Sequence, residues 1–237
     1  MITNRSHARF TRDFPGTMIS KEVVTIKNIS EETDNTECWI FGYGSLVWKP
    51  PPVYEERIPG FIRGYVRRFW QRSTDHRGTV ENPGRVVTLI PIEEWKLLND
   101  YHDHKDDDVT WGVAYKINKK DVKEVMDYLD YREKNGYTVH YLDIYQLEKE
   151  EPIIKNAIVY IATTKNEEYV GPASLDLLAQ KIFECIGPSG PNSEYLLNLA
   201  SALRTIAPHA YDAHLFDLEE RLLTLIKNQV IYKINIK

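Results

Sequence analysis

Cys38-Trp39-Ile40-Phe41-Gly42-Tyr43-Gly44-Ser45-Leu46 joins an apolar strand to a turn of small residues. Four apolar side chains in a row suit a buried strand. The two glycines then permit a sharp reversal, and without Cβ atoms the backbone can approach a small ligand and aim successive N–H groups at its carboxylate. A G-x-G alone is unspecific. Here the third glycine and the following helix of a dinucleotide site are missing, and Pro50-Pro51-Pro52 excludes that helix. An ordinary strand-end turn, with Tyr43 packed over the core, is the competing reading.

Downstream, Asp121 to Glu133 (DVKEVMDYLDYRE) reads as an amphipathic helix, with Val122, Val125, Met126 and Leu129 on one stripe. Glu133 continues that stripe, near the middle of the face defined by Met126 and Leu129. Lys123, Glu124, Asp127 and Asp130 point elsewhere. Asn135-Gly136 is a helix stop, which puts Glu133 in the last turn, where the helix dipole disfavours negative charge. Burial and dipole both raise a carboxyl pKa from about 4.3 toward neutrality, as a general acid or base requires. The structural alternative is an ion pair with Arg63, Arg67, Arg68 or Arg72.

Further strand-like runs rich in Val, Ile, Tyr and Trp occupy Ile62–Gln71, Arg85–Pro91, Val109–Ile117, Tyr137–Tyr145 and Ala157–Thr163. Ser174 caps a helical run through Ile186 closed by Gly187, Ser193 caps another through Ile206, and Leu215–Ile226 forms a third. The pattern predicts an α+β fold, a small mixed, barrel-like sheet with helices gathered toward the C-terminus. Tyr137, Tyr160 and Tyr169 are candidate pocket hydroxyls, although tyrosine often buries its ring in a core while its hydroxyl finds a partner.

The chain has 237 residues, 42% of them hydrophobic, and a formal net charge of −5. This suits a single domain over residues 37–237. Residues 1–36 read as an unstructured extension. Their first part, MITNRSHARFTRDFPGT, has the basic, acid-poor composition of transit peptides, and Glu22–Ile26 alternates enough to add an edge strand. Cys38 and Cys185 lie too far apart for metal-ligand spacing, which argues against a disulfide framework or zinc ribbon and for a reducing compartment. No apolar run approaches the ~18 residues of a membrane span, and a secretory hydrophobic core is lacking at the N-terminus. A soluble, cytoplasmic monomer is expected.

Two rival chemistries fare less well. Tyr101 to Asp108 (YHDHKDDD) offers histidines and carboxylates to a metal, but without helix-borne spacing it reads as a solvated loop, so no metal is expected. Arg63, Arg67, Arg68 and Arg72 interleave with Phe61, Tyr65, Phe69 and Trp70 as on a nucleic-acid surface, yet the overall acidic balance favours a strand with one packed face. No nucleic-acid or membrane partner is expected. His76, between Asp75 and Arg77, is a candidate second acid/base, against a structural role as a hydrogen-bonded histidine.

Blocks in order along the chain carry a resemblance: Tyr43-Gly44-Ser45-Leu46, Arg67-Arg68-Phe69-Trp70-Gln71, Ser73-Thr74-Asp75-His76-Arg77-Gly78, Asn82-Pro83-Gly84-Arg85-Val86-Val87, Trp111-Gly112-Val113-Ala114-Tyr115, Tyr128-Leu129-Asp130-Tyr131-Arg132-Glu133 and Gly187-Pro188-Ser189-Gly190. From about Trp39 to Phe216 the chain resembles the ChaC-type glutathione-specific γ-glutamylcyclotransferases. The resemblance implies the γ-glutamylcyclotransferase-like fold and a lyase reaction that releases 5-oxoproline and cysteinylglycine from glutathione without a cofactor. It further implies that Ile40, Phe41, Gly42, Tyr43, Gly44, Ser45 and Leu46 hold the γ-glutamyl group and that Glu133 is the catalytic acid/base. Arg72 departs from the family, which usually has glycine there; a long cation lining the pocket would narrow it or alter its substrate preference. Other γ-glutamyl compounds as substrates, or a non-catalytic γ-glutamyl-binding module, remain the alternatives.

Overall fold

The computed structural model describes residues 37–101, 109–133 and 136–235. The strand expected at Glu22–Ile26 and most of the histidine–aspartate segment, residues 102–108, lie outside them.

Five strands form one mixed sheet in the order β2 (Glu56–Arg63), β5 (Val109–Ile117), β1 (Cys38–Gly42), β7 (Ile154–Ile161), β6 (Thr138–Ile144). All neighbours are antiparallel except β1 and β7. The sheet curls until its outer strands meet at one bridge, where Phe61 and Tyr145 exchange N–H···O bonds of 2.9 and 2.8 Å. β1 therefore lies at the centre of the ladder, with Ile40 paired to Tyr115 on one side and Ile158 on the other. A second, two-stranded ribbon joins β3 (Tyr65–Ser73) to β4 (Gly84–Pro91), with a bulge between Arg68 and Gln71.

The run Ile62–Gln71, expected as one strand, is two. Gly64 has φ +79°, a left-handed conformation that costs glycine little, and there the chain leaves the curled sheet for the ribbon. The upstream strand β2 was hidden by its charged start and by Pro59, which is tolerated because β2 is an outer strand.

The helices are α1 (Ile92–Trp95), α2 (Val122–Arg132), α3 (Leu175–Glu184), α4 (Asn192–Ile206) and α5 (Ala213–Asn235), with a short ladder of β8 (Ile186–Gly187) and β9 (Gly190–Pro191) between α3 and α4. Ser174 caps α3 as expected, its Oγ accepting from Leu177 N at 3.3 Å. That helix stops short of Ile186 because Cys185 turns extended and the next residues enter the ladder. Ser193 does not cap α4: the helix starts one residue earlier, at Asn192. Asn192 is buried, and its amide grips both backbone polar groups of Arg85 at 2.6 and 2.7 Å. α5 runs well past Ile226 because no glycine or proline stops it, although Val230, Tyr232 and Ile234 are exposed. Leu178 and Ile182 of α3, Leu196 and Leu199 of α4, and Leu215, Leu218 and Leu222 of α5 are buried in the common core, each worth about 1.5–3 kcal/mol of burial.

Candidate active site

The turn after β1 is anchored from its inner side. The carbonyl of Tyr43 accepts from Arg67 Nη1 at 2.7 Å, and that of Leu46 accepts from Tyr115 Oη at 2.7 Å. Arg67 is itself buried and held by Asp212 at 3.0 Å. Tyr43 donates its hydroxyl to the carbonyl of Tyr160 at 3.0 Å. A Cβ at Gly42 would stand 2.3 Å from Leu46 Cβ, so the chain folds back on itself more tightly than a side chain there permits. A 3₁₀ turn over Ser45–Val47 follows.

Glu133 faces this turn across a cleft of about 990 Å³, part of it open to solvent. It sits just past the last helical residue of α2, as the C-cap: its N–H bonds Leu129 O at 2.7 Å and its backbone has left the helical region. The stripe predicted for this helix is observed, with Val125, Met126 and Leu129 buried beneath it. The Glu133 side chain is 16% exposed. Burial raises its carboxyl pKa, the Arg132 guanidinium 3.5 Å away opposes the rise, and Asp75 adds to it.

The arginines considered as structural partners are engaged elsewhere. Arg67 pairs with Asp212, Arg68 with Asp100 at 2.7 Å and Arg72 with Glu168 at 2.8 Å, while Arg63 lies 4.1 Å from the centre of the Tyr145 ring. Arg67, Arg68, Phe69 and Trp70 are all buried, so the basic–aromatic run is not an open surface.

Phe41 to Leu46 line the cleft, as do Glu133, Tyr137 and Tyr160. Two of the expected residues lie away from it. Ile40 is wholly buried in the core, one step before Phe41 on a strand whose side chains alternate. Tyr169 pairs with the backbone of Gln71 behind the ribbon, and burial pushes its hydroxyl pKa up to about 12. Tyr160 donates to Asp130 Oδ1 at 2.7 Å. Burial, and then the charge of Glu133, raise the hydroxyl pKa values of Tyr43 and Tyr137; Tyr160 and Tyr195 feel the same carboxylate after their own burial. Glu133 is thus set among aromatic rings, where its charged form is poorly solvated.

Several lining residues escaped the sequence reading. Arg132 stands in the block Tyr128–Glu133 without a role of its own, and Tyr195 falls on the apolar stripe of α4 with Leu199 and Leu203, where it looks like core. Asp75, Arg77 and Ser189 come from connections that carry no periodicity. His76 also lines the cleft, half exposed, its Nδ1 3.1 Å from Ser189 Oγ and its Nε2 3.8 Å from Asp75. Arg72 reaches the cleft too, but Glu168 and the carbonyl of Glu167 hold its guanidinium, so its cation is partly neutralised. Among the described residues, no group of three or more His, Cys, Asp and Glu is placed to hold a metal, and no helix is long and apolar enough to cross a membrane.

The described residues thus build a curled mixed sheet with a glycine turn on its central strand and a desolvated carboxylate opposite it. The crystal structure of a glutathione-specific γ-glutamylcyclotransferase from yeast has the same fold, with a TM-score of 0.70 and 38% identity over 80% of this chain and 97% of that one. The chain belongs to the ChaC-like protein family, whose model matches residues 38–225. It is 48% identical over 182 residues to the glutathione-specific γ-glutamylcyclotransferase of Schizosaccharomyces pombe, covering 76% of this chain and 90% of the relative. The Saccharomyces cerevisiae protein of the same name is 43% identical over 201 residues, 72% and 87% of the respective chains.

Proposed function

We propose that this chain is a glutathione-specific γ-glutamylcyclotransferase, a carbon–nitrogen lyase that converts glutathione to 5-oxoproline and cysteinylglycine. The observation that carries the reading is the desolvated Glu133 carboxylate across a ligand-sized cleft from the Gly42–Leu46 turn, in a chain whose relatives bear that activity in their names.

In this mechanism the turn holds the γ-glutamyl group and keeps it folded, with its α-amine against its own γ-carbonyl. The reaction is intramolecular, so holding the near-attack geometry supplies much of the acceleration. The free amine has a pKa near 8 and is mostly protonated at pH 7. The ammonium first gives up one proton to solvent; the freed amine attacks the γ-carbon, Glu133 takes the second proton from that nitrogen as the lactam closes, and returns it to the cysteine nitrogen as the carbon–nitrogen bond to cysteine breaks. No water is consumed. A carboxyl with its pKa raised by burial is suited to both transfers. N–H groups of the turn are candidates for the developing oxyanion.

Residues 37–237 are proposed to act as one catalytic domain, as a monomer in the cytoplasm, where two free thiols such as Cys38 and Cys185 persist. Release of 5-oxoproline from glutathione and from γ-glutamyl-alanine tests the substrate assignment. Glutathione is expected to be favoured by about 10–100-fold in kcat/KM, since the shorter compound lacks the thiol and the terminal glycine contacts. Equal rates would move the assignment to γ-glutamyl compounds in general, and binding of glutathione without turnover would point to a γ-glutamyl-binding module.

A further inference from the structure

Arg132 is the last residue of α2 and lines the cleft with its side chain only 15% exposed. Its guanidinium touches both halves of the site: Nη2 donates to Ser45 Oγ in the turn, and Nε lies 3.5 Å from Glu133 Oε1. Nη1 reaches the carbonyl of Lys49, just beyond the turn, at 3.4 Å. A guanidinium presents its N–H groups in a rigid planar fork, so a single side chain can brace two segments at a fixed separation.

We propose that Arg132 is the positioning residue of this site, bracing Ser45 of the substrate-holding turn against the Glu133 carboxylate so that the folded γ-glutamyl amine and its proton acceptor stay within reach. The proposal deepens the cyclotransferase reading above and rests on it. The groups that face Glu133 are Arg132 from α2, Asp75 from the segment after β3, Tyr43 from the turn, Tyr137 ahead of β6, Tyr160 from β7 and Tyr195 from α4. Lys49, Arg72, His76 and Arg77 also line the cleft, and Arg132 is the cation that lies 3.5 Å from the Glu133 carboxylate. Burial and Asp75 favour the neutral acid, and Arg132 favours the carboxylate. Without Arg132 the main opposition to the first two is lost, Glu133 holds its proton to higher pH, and the base form appears later as pH rises.

The experiment is 5-oxoproline release by the full chain across pH, for Arg132→Gln and Arg132→Lys, with thermal unfolding of each. Arg132→Gln should lower kcat about 10–100-fold with a smaller change in KM, and the acid limb of kcat/KM should move to higher pH. Arg132→Lys should restore the position of that limb but not kcat, because an ammonium keeps the charge without the fork. Ser45→Ala combined with Arg132→Gln should cost less than the sum of the two, as expected for groups in contact. A folded Arg132→Gln variant with an unmoved acid limb, or strict additivity with Ser45→Ala, overturns the proposal. If Arg132→Gln fails to fold, Arg132→Lys decides: reduced kcat supports the proposal and parental kcat overturns it. Failure of the underlying reading has a separate signature, an active Glu133→Gln variant, which changes at Arg132 cannot imitate.

Discussion

Glu133→Gln is expected to lose 5-oxoproline release by roughly 10²–10⁴-fold, the range of a positioned general acid–base group. The amide has nearly the shape of the carboxyl and leaves the turn, the tyrosine rings and the contacts beneath α2 in place. What it removes is the proton acceptor. The variant should also be at least as stable as the parent at neutral pH. In the folded chain Glu133 titrates above its ordinary range, whereas unfolded it returns to about 4.3. Between those two values the folded state binds more protons than the unfolded one, so this group's contribution to stability falls as pH rises through the window. Glutamine carries no such pH-dependent loss. Chromatographic assay of 5-oxoproline and thermal unfolding at pH 7 check both halves; parental turnover by the variant would remove Glu133 from the mechanism.

Gly42→Ala is expected to disable the site from the opposite wall. The added methyl would stand 2.3 Å from Leu46 Cβ, and relief requires the turn to move. The turn has little freedom, because Arg67 and Tyr115 hold its carbonyls and Leu46 is buried. A Cβ at Gly112 on the adjacent strand would likewise lie 2.2 Å from Gly42 O, so the crowding extends to the neighbouring ladder. A destabilisation of about 1–3 kcal/mol follows from overpacking of this kind, which in a chain of this size lowers Tm by roughly 2–4 °C for each kcal/mol. Activity should fall further than the folded fraction does, since the turn itself is displaced. Full turnover in a folded Gly42→Ala protein would show that the turn does not hold the substrate.

The parts of the molecule visible in the sequence are those where a local rule and the tertiary packing agree. Val109–Ile117 was expected as a strand and is one, because both faces of this near-central strand demand apolar residues. Ser174 was expected to cap a helix and does. The stripe Val125, Met126 and Leu129 pointed to the position of Glu133 for the same reason. The misses have common causes. Gly64 lies inside an apolar run, so periodicity could not reveal that the chain changes sheets there. β2 begins with charges and contains a proline, and only its place at the margin of the sheet makes those residues acceptable. Tyr195 is disguised as core by its place on a helix stripe, and Arg132 by standing next to Glu133, on which the helix argument settles. Asp75, Arg77 and Ser189 arrive on connections from distant parts of the chain, which no local pattern brings together. Ile40 shows the reverse case: adjacency to the glycine turn does not put its side chain among those lining the cleft, because strand alternation sends it the other way.

The seam between Phe61 and Tyr145 is where the curled sheet meets itself, at a single bridge. Two backbone hydrogen bonds close it, with Gln146 Nε2 donating to the Pro59 carbonyl at 3.2 Å beside them, whereas β1 at the middle of the ladder is gripped from both sides. Sub-global opening should begin at the seam, with the amides of Phe61 and Tyr145 exchanging with deuterated solvent ahead of those of Val113 and Ala114. The glycine turn leaves from the strand farthest round the ladder from that seam in either direction. Unzipping there can relax the wall while the cleft beside the turn keeps its shape.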